Sequence, residues 1–435
     1  MMMTDTGAEV PAELVLEITG QAAGGESIAR HDGRVVFVTG GIPGETVRVR
    51  ITEERTRLLR AEVTAVLEAS PHRVADRRAA LGAAGVGGIE FAHVALAHSR
   101  ALKQQAAADQ FTRLGRLDRV PEIAAAPREA AGGTGLDWRT RVQLAVDERG
   151  RPGMLAARSR RVVPVDTLPL AVPELDALDL HRLTLPGISR LELAAGSGGG
   201  AVVAHGRPTG EAEDALQGAL AGAAGEWSLL VRSRGARRNR GGRARTELRQ
   251  LTGDGRVRHR VAGIDRGFEI AADGFWQVHV DAAAVLAERV VAETAGARRV
   301  LDLYCWAGLF SVAVAETHGI PVTGIEGSAT AIASARDAAA GLPVEFGVAR
   351  VEELSALPEA DTVVLDPPRA GVGPEVVRLL LDSSAQRIVY VSCDGATFAR
   401  DARALVEGGF RLVRTRGFDL FPLTAHAEFL SVLER

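Results

Sequence analysis

From Phe275 to the C-terminus the chain alternates short apolar runs with stretches of helical composition, and that grain leaves few folds open. Arg299–Tyr304, Val322–Ile325, Thr362–Leu365 and Ile388–Val391 have the length and β-branched content of buried strands. Ala282–Thr294, Ala329–Ala340, Pro374–Leu381 and Thr397–Glu407 lie before or between them. Strands separated by helices pair in parallel and are covered on both faces. The spacing therefore predicts an α/β fold, a doubly wound Rossmann-like sheet.

Ligands of such sheets bind outside the carboxyl ends of the strands. The unusual residues fall there in series. The first strand runs into Tyr304-Cys305-Trp306-Ala307-Gly308-Leu309, the second ends at Glu326, a later one at Asp366-Pro367-Pro368-Arg369, and the next at Ser392-Cys393-Asp394. Glu326 stands about as far from the first turn as the acid that binds ribose hydroxyls in nucleotide-binding sheets. The turn has Gly308 alone, which argues against a dinucleotide and so against a dehydrogenase. A ligand with adenosine and no phosphate fits better, and S-adenosylmethionine is the common one. Each Pro fixes its φ and biases its predecessor toward extended geometry, so Asp366 and Arg369 belong to a stiff loop able to hold a flat polar base. Singly, these features also have plain readings: a strand-end carboxylate, a turn, a buried thiol.

Upstream, about Ala12 to Glu68 reads as five or so short strands with turns at Asp32-Gly33 and Gly40-Gly41-Ile42-Pro43-Gly44, which suits a small barrel. Val94 to Leu117 has a helical period, with Arg100, Lys103 and Gln104 on its polar side. Trp138 to about Glu269 reads as a β-rich or α+β region. The expected organisation is a barrel over 11–70, a central RNA-binding region over 71–270 whose helix near 94–117 packs on the catalytic domain, and a catalytic domain over 271–435. Lys103 is the only lysine among 52 Lys and Arg residues, a bias expected of base composition. Net charge is −3, so overall charge does not argue for a nucleic-acid partner. Two cysteines exclude a disulfide framework or a multi-thiolate metal site. Met1 to Glu17 has no basic run followed by an apolar stretch, so no signal peptide is expected, and no apolar run approaches the ~20 residues that span a bilayer. A cytoplasmic location and no membrane partner are expected.

Leu301-Asp302-Leu303-Tyr304-Cys305, Asp366-Pro367-Pro368-Arg369, Val389-Tyr390-Val391-Ser392-Cys393, and Phe421-Pro422 through His426-Ala427-Glu428 resemble, in order and spacing, the RNA 5-methyluridine methyltransferase family. The segment from Val35 through Pro43-Gly44-Glu45 to Val66 is similar to the TRAM RNA-binding barrel of many members. The likeness covers nearly the whole chain and is weakest between about Pro121 and Asp265.

The resemblance implies S-adenosylmethionine-dependent methylation of uracil carbon 5 in RNA. Cys393 matches the nucleophile that adds to carbon 6, and Glu428 the base that removes the carbon-5 proton. Asp366 and Arg369 would lie against the base. Gln277, Tyr304, Leu309, Glu326 and Asp366 match cofactor contacts. Trp306 stands where the family usually has Gly, and could crowd the cofactor or shape a lid; Gly395 replaces a usual Pro. Many relatives bind an iron–sulfur cluster on four cysteines. The matching positions here are Ala80, Val86, Ile89 and about Thr167, none a thiolate donor, so no cluster is expected.

Arg232, Arg234, Arg237, Arg238, Arg240, Arg243, Arg245 and Arg249, with Glu247 the one acid among them, could track phosphates from a loop or hairpin. Phe275 or Phe421 could support an extruded base. The TRAM-like segment favours ribosomal over transfer RNA, and a monomer is expected. The competing expectation is a catalytically weak RNA-binding or RNA-folding factor on the same scaffold.

Overall fold

The computed structural model describes residues 11–238 and 244–435. Strands β1 (Glu13–Glu17), β2 (Gly20–Gln21), β3 (Ser27–His31), β4 (Arg34–Thr39), β5 (Thr46–Arg55) and β6 (Leu58–Glu68) form one sheet in the order β1-β5-β6-β4-β3-β2. Alternation places Leu14, Leu16, Val36, Val38, Val47 and Val49 on one buried face, the period-two signature of a half-buried strand. Glu45, fully buried after the Gly40–Gly44 turn, accepts from Arg73 Nε and Nη2 at 2.6 Å each and from the Ile42 N–H at 2.9 Å. That carboxylate fastens the sheet to the chain beyond Pro71.

Helix α1 (Arg77–Ala80) is short. Helix α2 (Leu96–Gln110) passes into a π-helical segment, Phe111–Gly115, and ends at Arg116 in the left-handed region. Strand β7 (Ile123–Ala125) and helix α3 (Pro127–Ala130) follow. The central region is α+β. Its sheet of β8 (Arg141–Val146), β9 (Pro152–Leu155), β10 (Val162–Val163), β11 (Ile188–Gly196), β12 (Gly199–Gly206), β13 (Glu226–Arg238) and β14 (Ala244–Thr252) has the order β10-β9-β8-β11-β12-β13-β14. Helices α4 (Pro173–Asp176) and α5 (Gly210–Ala221) accompany it, α5 serving as the crossover between parallel β12 and β13. The arginine-rich stretch is the β13–β14 hairpin, with Arg240 and Arg243 outside the described residues.

The last sheet combines β17 (Val300–Leu303), β18 (Val322–Glu326), β19 (Val344–Val348), β20 (Thr362–Leu365), β21 (Arg387–Ser392), β22 (Arg411–Asp419) and β23 (Glu428–Glu434) in the order β19-β18-β17-β20-β21-β23-β22-β7. The first five are parallel, as the alternation predicts; β23 runs antiparallel to both β21 and β22. Helices α6 (Ala282–Glu293), α7 (Leu309–His318), α8 (Ala329–Ala338), α9 (Gly373–Asp382) and α10 (Gly395–Glu407) cover it.

Two pieces from before residue 271 belong to this unit. Strand β7 closes one edge, and the hairpin of β15 (Arg256–Arg260) and β16 (Gly267–Ala271) places Phe268 and Ile270 in the core with Leu286 and Val312. Among the described residues no helix is long and apolar enough to cross a membrane.

Candidate active site

Chain direction changes side between β17 and β20: β18 lies on one flank of β17 and β20 on the other, which opens a crevice at their carboxyl ends. Leu303 pairs with Leu365 and Leu365 with Tyr390, so Tyr304 and Asp366 leave neighbouring strands together. Ser392 of β21 lies opposite Phe429 of β23, so Cys393 and Glu428 form the next rung beyond that pair. Phe418 of β22 is opposite Glu428 on the other side. A nucleophile and a carboxyl 35 positions apart in the chain are thus adjacent because of one antiparallel register.

The first turn is strained. Tyr304 has φ 61° and Trp306 φ 48°, and both are bulky residues in a region that glycine occupies freely. Backbone held there costs on the order of 1–3 kcal/mol and clusters at ligand sites. The Trp306 indole donates to the Asp366 carbonyl at 3.1 Å and its ring lies 4.4 Å from that of Phe275. The side chain therefore spans from the first turn to the Asp366 loop and walls the crevice. Tyr304 Oη donates to Glu352 at 3.1 Å.

Glu326 is buried at the end of β18. Its Oε1 accepts from the Ser328 N–H at 2.7 Å, and its Oε2 has no protein partner among the described residues. Asp302, fully buried, accepts from Ser311 Oγ at 2.6 Å while its Oδ1 has none. Carboxylate oxygens left open beside a strained, single-glycine turn suit a ligand that offers hydroxyls and an amine and lacks phosphate. S-adenosylmethionine has that chemistry.

The Asp366–Arg369 loop is tied at its far end by Asp401, whose Oδ2 accepts from the Val372 N–H and from Tyr390 Oη, both at 2.8 Å. Gly371, at φ 78°, lets that carboxylate approach, since a Cβ there would meet Asp401 Oδ2 at 2.4 Å. Asp394 caps α10 by accepting from the N–H groups of Ala396 and Thr397 at 3.0 and 2.9 Å, which fixes the turn carrying Cys393.

Acids dominate the pocket. Burial pushes the Cys393 thiol up to about 12, with Glu428, Asp366 and Asp394 adding to it and Arg369 opposing. Burial also holds Glu428 well above the usual carboxylate range, helped by Asp366 and opposed by Arg369. Asp366 keeps some exposure, yet loss of water moves it up to about 8, and burial moves Asp302 to about 7. Burial thus favours the neutral thiol and the neutral Glu428 carboxyl, with Arg369 the cation facing them.

These raised values have a consequence for stability. The folded state holds protons that the unfolded chain releases near pH 4, so the apoprotein loses stability as pH rises from about 4 through 7 to 8. Asp366→Asn and Asp302→Asn should each flatten the fall in melting temperature over that window. An unchanged slope in both would contradict the placement.

Gln277 is half-buried after Trp276, and Leu309 is buried at the start of α7. Phe275 is 41% exposed, whereas Phe421 is half-buried with its ring edge-on to Trp138 at 6.2 Å. Lys103, on the polar side of α2, is buried against Asp419. At the four positions matched to iron–sulfur cysteines, Val86 and Ile89 are buried in separate apolar clusters and Thr167 Oγ1 donates to the Leu81 carbonyl at 3.1 Å. Sequence reasoning placed Asp302 and Asp394 within its motifs without assigning them a role, and missed Asp401 and the Lys103–Asp419 pair. Of the last two, the pair left a trace, in the solitary lysine.

Fold and site define a methyltransferase sheet joined to a small barrel of nucleic-acid-binding type. The profile of the TRAM domain matches residues 9–64, that of the methyltransferase small domain residues 270–389, and that of tRNA (uracil-5-)-methyltransferase residues 345–435. An RNA methyltransferase of Corynebacterium efficiens is 36% identical over 97% of this chain and 94% of its own length. The 23S rRNA (uracil(1939)-C(5))-methyltransferase RlmD of Chromohalobacter salexigens is 33% identical over 97% and 89%. The crystal structure of Pyrococcus abyssi tRNA (uracil-54, C5)-methyltransferase with S-adenosyl-L-homocysteine superposes with a TM-score of 0.73 at 22% identity, covering 96% of this chain and 100% of that one, a likeness of fold. The chain belongs to the S-adenosylmethionine-dependent RNA (uracil-C5) methyltransferase family with an N-terminal TRAM domain.

Proposed function

We propose that this protein methylates carbon 5 of a uracil in RNA through a covalent bond between Cys393 Sγ and carbon 6. The observation carrying this reading is the rung that sets Cys393 beside Glu428, with Asp366 and Arg369 on the adjoining loop. Gln277, Tyr304, Leu309, Glu326 and Asp366 would hold S-adenosylmethionine, which when bound would supply a methyl group on a sulfonium, the pair of the broken carbon–sulfur bond staying on sulfur.

Positive charge placed beside these acids favours their ionised forms, so Cys393 and Glu428 release protons to solvent as the site loads. The Cys393 thiolate bonds to carbon 6, and the electrons of the 5,6 double bond move toward the carbonyl oxygen at carbon 4. Arg369 and the Asp366 loop orient the base and balance that negative charge. Carbon 5 takes the methyl group and still carries its hydrogen. The Glu428 carboxylate removes that proton, the double bond re-forms, and the thiolate of Cys393 leaves.

A cleft of about 710 Å³ between barrel and central region is lined by Gly25, Arg78, Glu90, Arg139 and Arg158. Arg139, on the wall of the cleft, is pushed down by burial and then by nearby Arg369, the cation of the base loop. RNA enters along the cleft with the target extruded from its stack. Ribosomal RNA is the favoured substrate, supported by the barrel and by the activity named for the Chromohalobacter relative. One chain supplies every group used, so a monomer suffices, and the work is cytoplasmic.

The test is transfer of labelled methyl from the donor to unmodified RNA, with 5-methyluridine mapped in RNA from a deletion strain. RNA binding without transfer would leave a folding factor as the function. Trp306→Gly bears on the wall of the crevice. It should raise the RNA KM about 3–10-fold, in line with loss of one hydrogen bond and an aromatic contact. Affinity for S-adenosylhomocysteine, measured by calorimetry, should change less. A larger loss of cofactor affinity would place the indole against the cofactor instead.

A further inference from the structure

Every cation of this chain except one is arginine, and the exception is buried. Lys103 Nζ donates to Asp419 Oδ1 at 2.5 Å and to the Phe421 carbonyl at 2.9 Å. Asp419 is itself fully buried, its Oδ2 has no hydrogen-bond partner among the described residues, and Arg100 Nη1 lies 4.0 Å from it. An ammonium is a compact point charge with three donors, while a guanidinium is a wide planar fork. A closed site between a carboxylate and a main-chain carbonyl takes the first and not the second. That explains why lysine stands here in a chain that otherwise uses arginine.

What the ammonium holds is the loop of the hairpin that presents Glu428. Asp419 ends β22 one residue after Phe418, the cross-strand partner of Glu428, and Phe421 lies on the way to β23. Two turns along the same helix, Gln110 lies against the turn that follows the other reacting group. A Cβ at Gly395 would meet Gln110 Oε1 at 2.5 Å, so the glycine after Cys393-Asp394 admits that side chain. Next to it, the Phe111 ring packs 5.3 Å from Phe398 of α10 and 5.6 Å from Phe429 of β23. One face of α2 thus braces the Glu428 hairpin at Lys103 and the Cys393 turn at Gln110.

We propose that Lys103 is a positioning residue that fixes Glu428 relative to the base bonded to Cys393, acting through Asp419 and the Phe421 carbonyl. This rests on the reading of Glu428 as the carbon-5 base. Lys103 touches no reacting atom; its loss leaves formation of the carbon 6–sulfur bond and methyl transfer intact and slows removal of the carbon-5 proton. The methylated protein–RNA adduct then outlives its normal lifetime.

The experiment follows that adduct on denaturing gels in single turnover, together with methyl transfer and thermal melting, for wild type, Lys103→Met and Lys103→Met with Asp419→Asn. The single variant leaves a buried carboxylate unpaired and can fail to fold. The double variant is neutral and close in volume, and buried pairs replaced in this way commonly keep their fold. Expected for the double variant are melting within a few degrees of wild type, methyl transfer within about twofold, and adduct release at least about tenfold slower. Release at the wild-type rate, or loss of the fold in the double variant too, would assign the pair to stability alone and overturn the proposal. If wild type itself forms no adduct and moves no methyl group, the functional reading fails instead, and that arm shows it.

Discussion

Cys393→Ala loses methyl transfer by at least about 10⁴-fold while melting within a few degrees of wild type and still binding RNA. The magnitude follows from removing a nucleophile that divides one hard step into easier ones, a change that elsewhere costs about 10⁴ to 10⁶ in turnover. The small effect on stability follows from the site. Cys393 is half-buried, makes no hydrogen bond among the described residues, and sits where burial and three carboxyl groups oppose its ionisation. Its removal takes a strained acid out of an acidic pocket and leaves the Asp394 cap of α10 in place. Single-turnover transfer of labelled methyl, with binding measured in parallel, checks both halves. Transfer within about tenfold of wild type would remove covalent catalysis from the mechanism. Cys305 does not offer a substitute nucleophile, because it is buried in the first turn and burial holds its thiol well above the ordinary value.

Much of this architecture is legible in the chain because chemistry and topology coincide. Buried parallel strands need continuous apolar runs, and their carboxyl ends are where the run must stop, so Glu326, Asp366 and Cys393 announce themselves as polar residues at the ends of Val322–Ile325, Thr362–Leu365 and Ile388–Val391. What joins these ends is not local. Cys393 meets Glu428 through an antiparallel pairing whose register no short motif encodes. The sheet is completed by β7, three residues long and some 175 residues before β17, too short to show a period.

The burial of Lys103 is not legible in the helix period, for a physical reason. A lysine beside Arg100 and Gln104 on a helix normally marks the solvent face, and only a carboxylate from another element reverses that sign. Trp306 was open for a related reason. A left-handed φ is invisible in the residue name, yet it decides that the indole crosses toward Phe275 and the Asp366 carbonyl.

Glu428→Gln should separate the two halves of the reaction. The amide has almost the volume of the carboxyl and keeps the buried position opposite Phe418, so the fold tolerates it. In the unloaded site burial and Asp366 favour the neutral form of Glu428, and the amide mimics that form. Addition of Cys393 and methyl transfer therefore proceed, because neither step takes a proton to residue 428. Proton removal does not, because an amide has no basicity to match a carboxylate. Methylated RNA stays bonded to Cys393, seen as a protein–RNA band that survives denaturation, and multiple turnover falls about 10²- to 10⁴-fold, the usual worth of a positioned base. The same asymmetry sets the pH response: a group whose folded value is raised acts as a base only once ionised, so release speeds up as pH rises, and Glu428→Gln should remove that rise. Ready turnover by Glu428→Gln with no lasting band would mean that another group, such as the neighbouring Asp366 carboxyl, takes the carbon-5 proton.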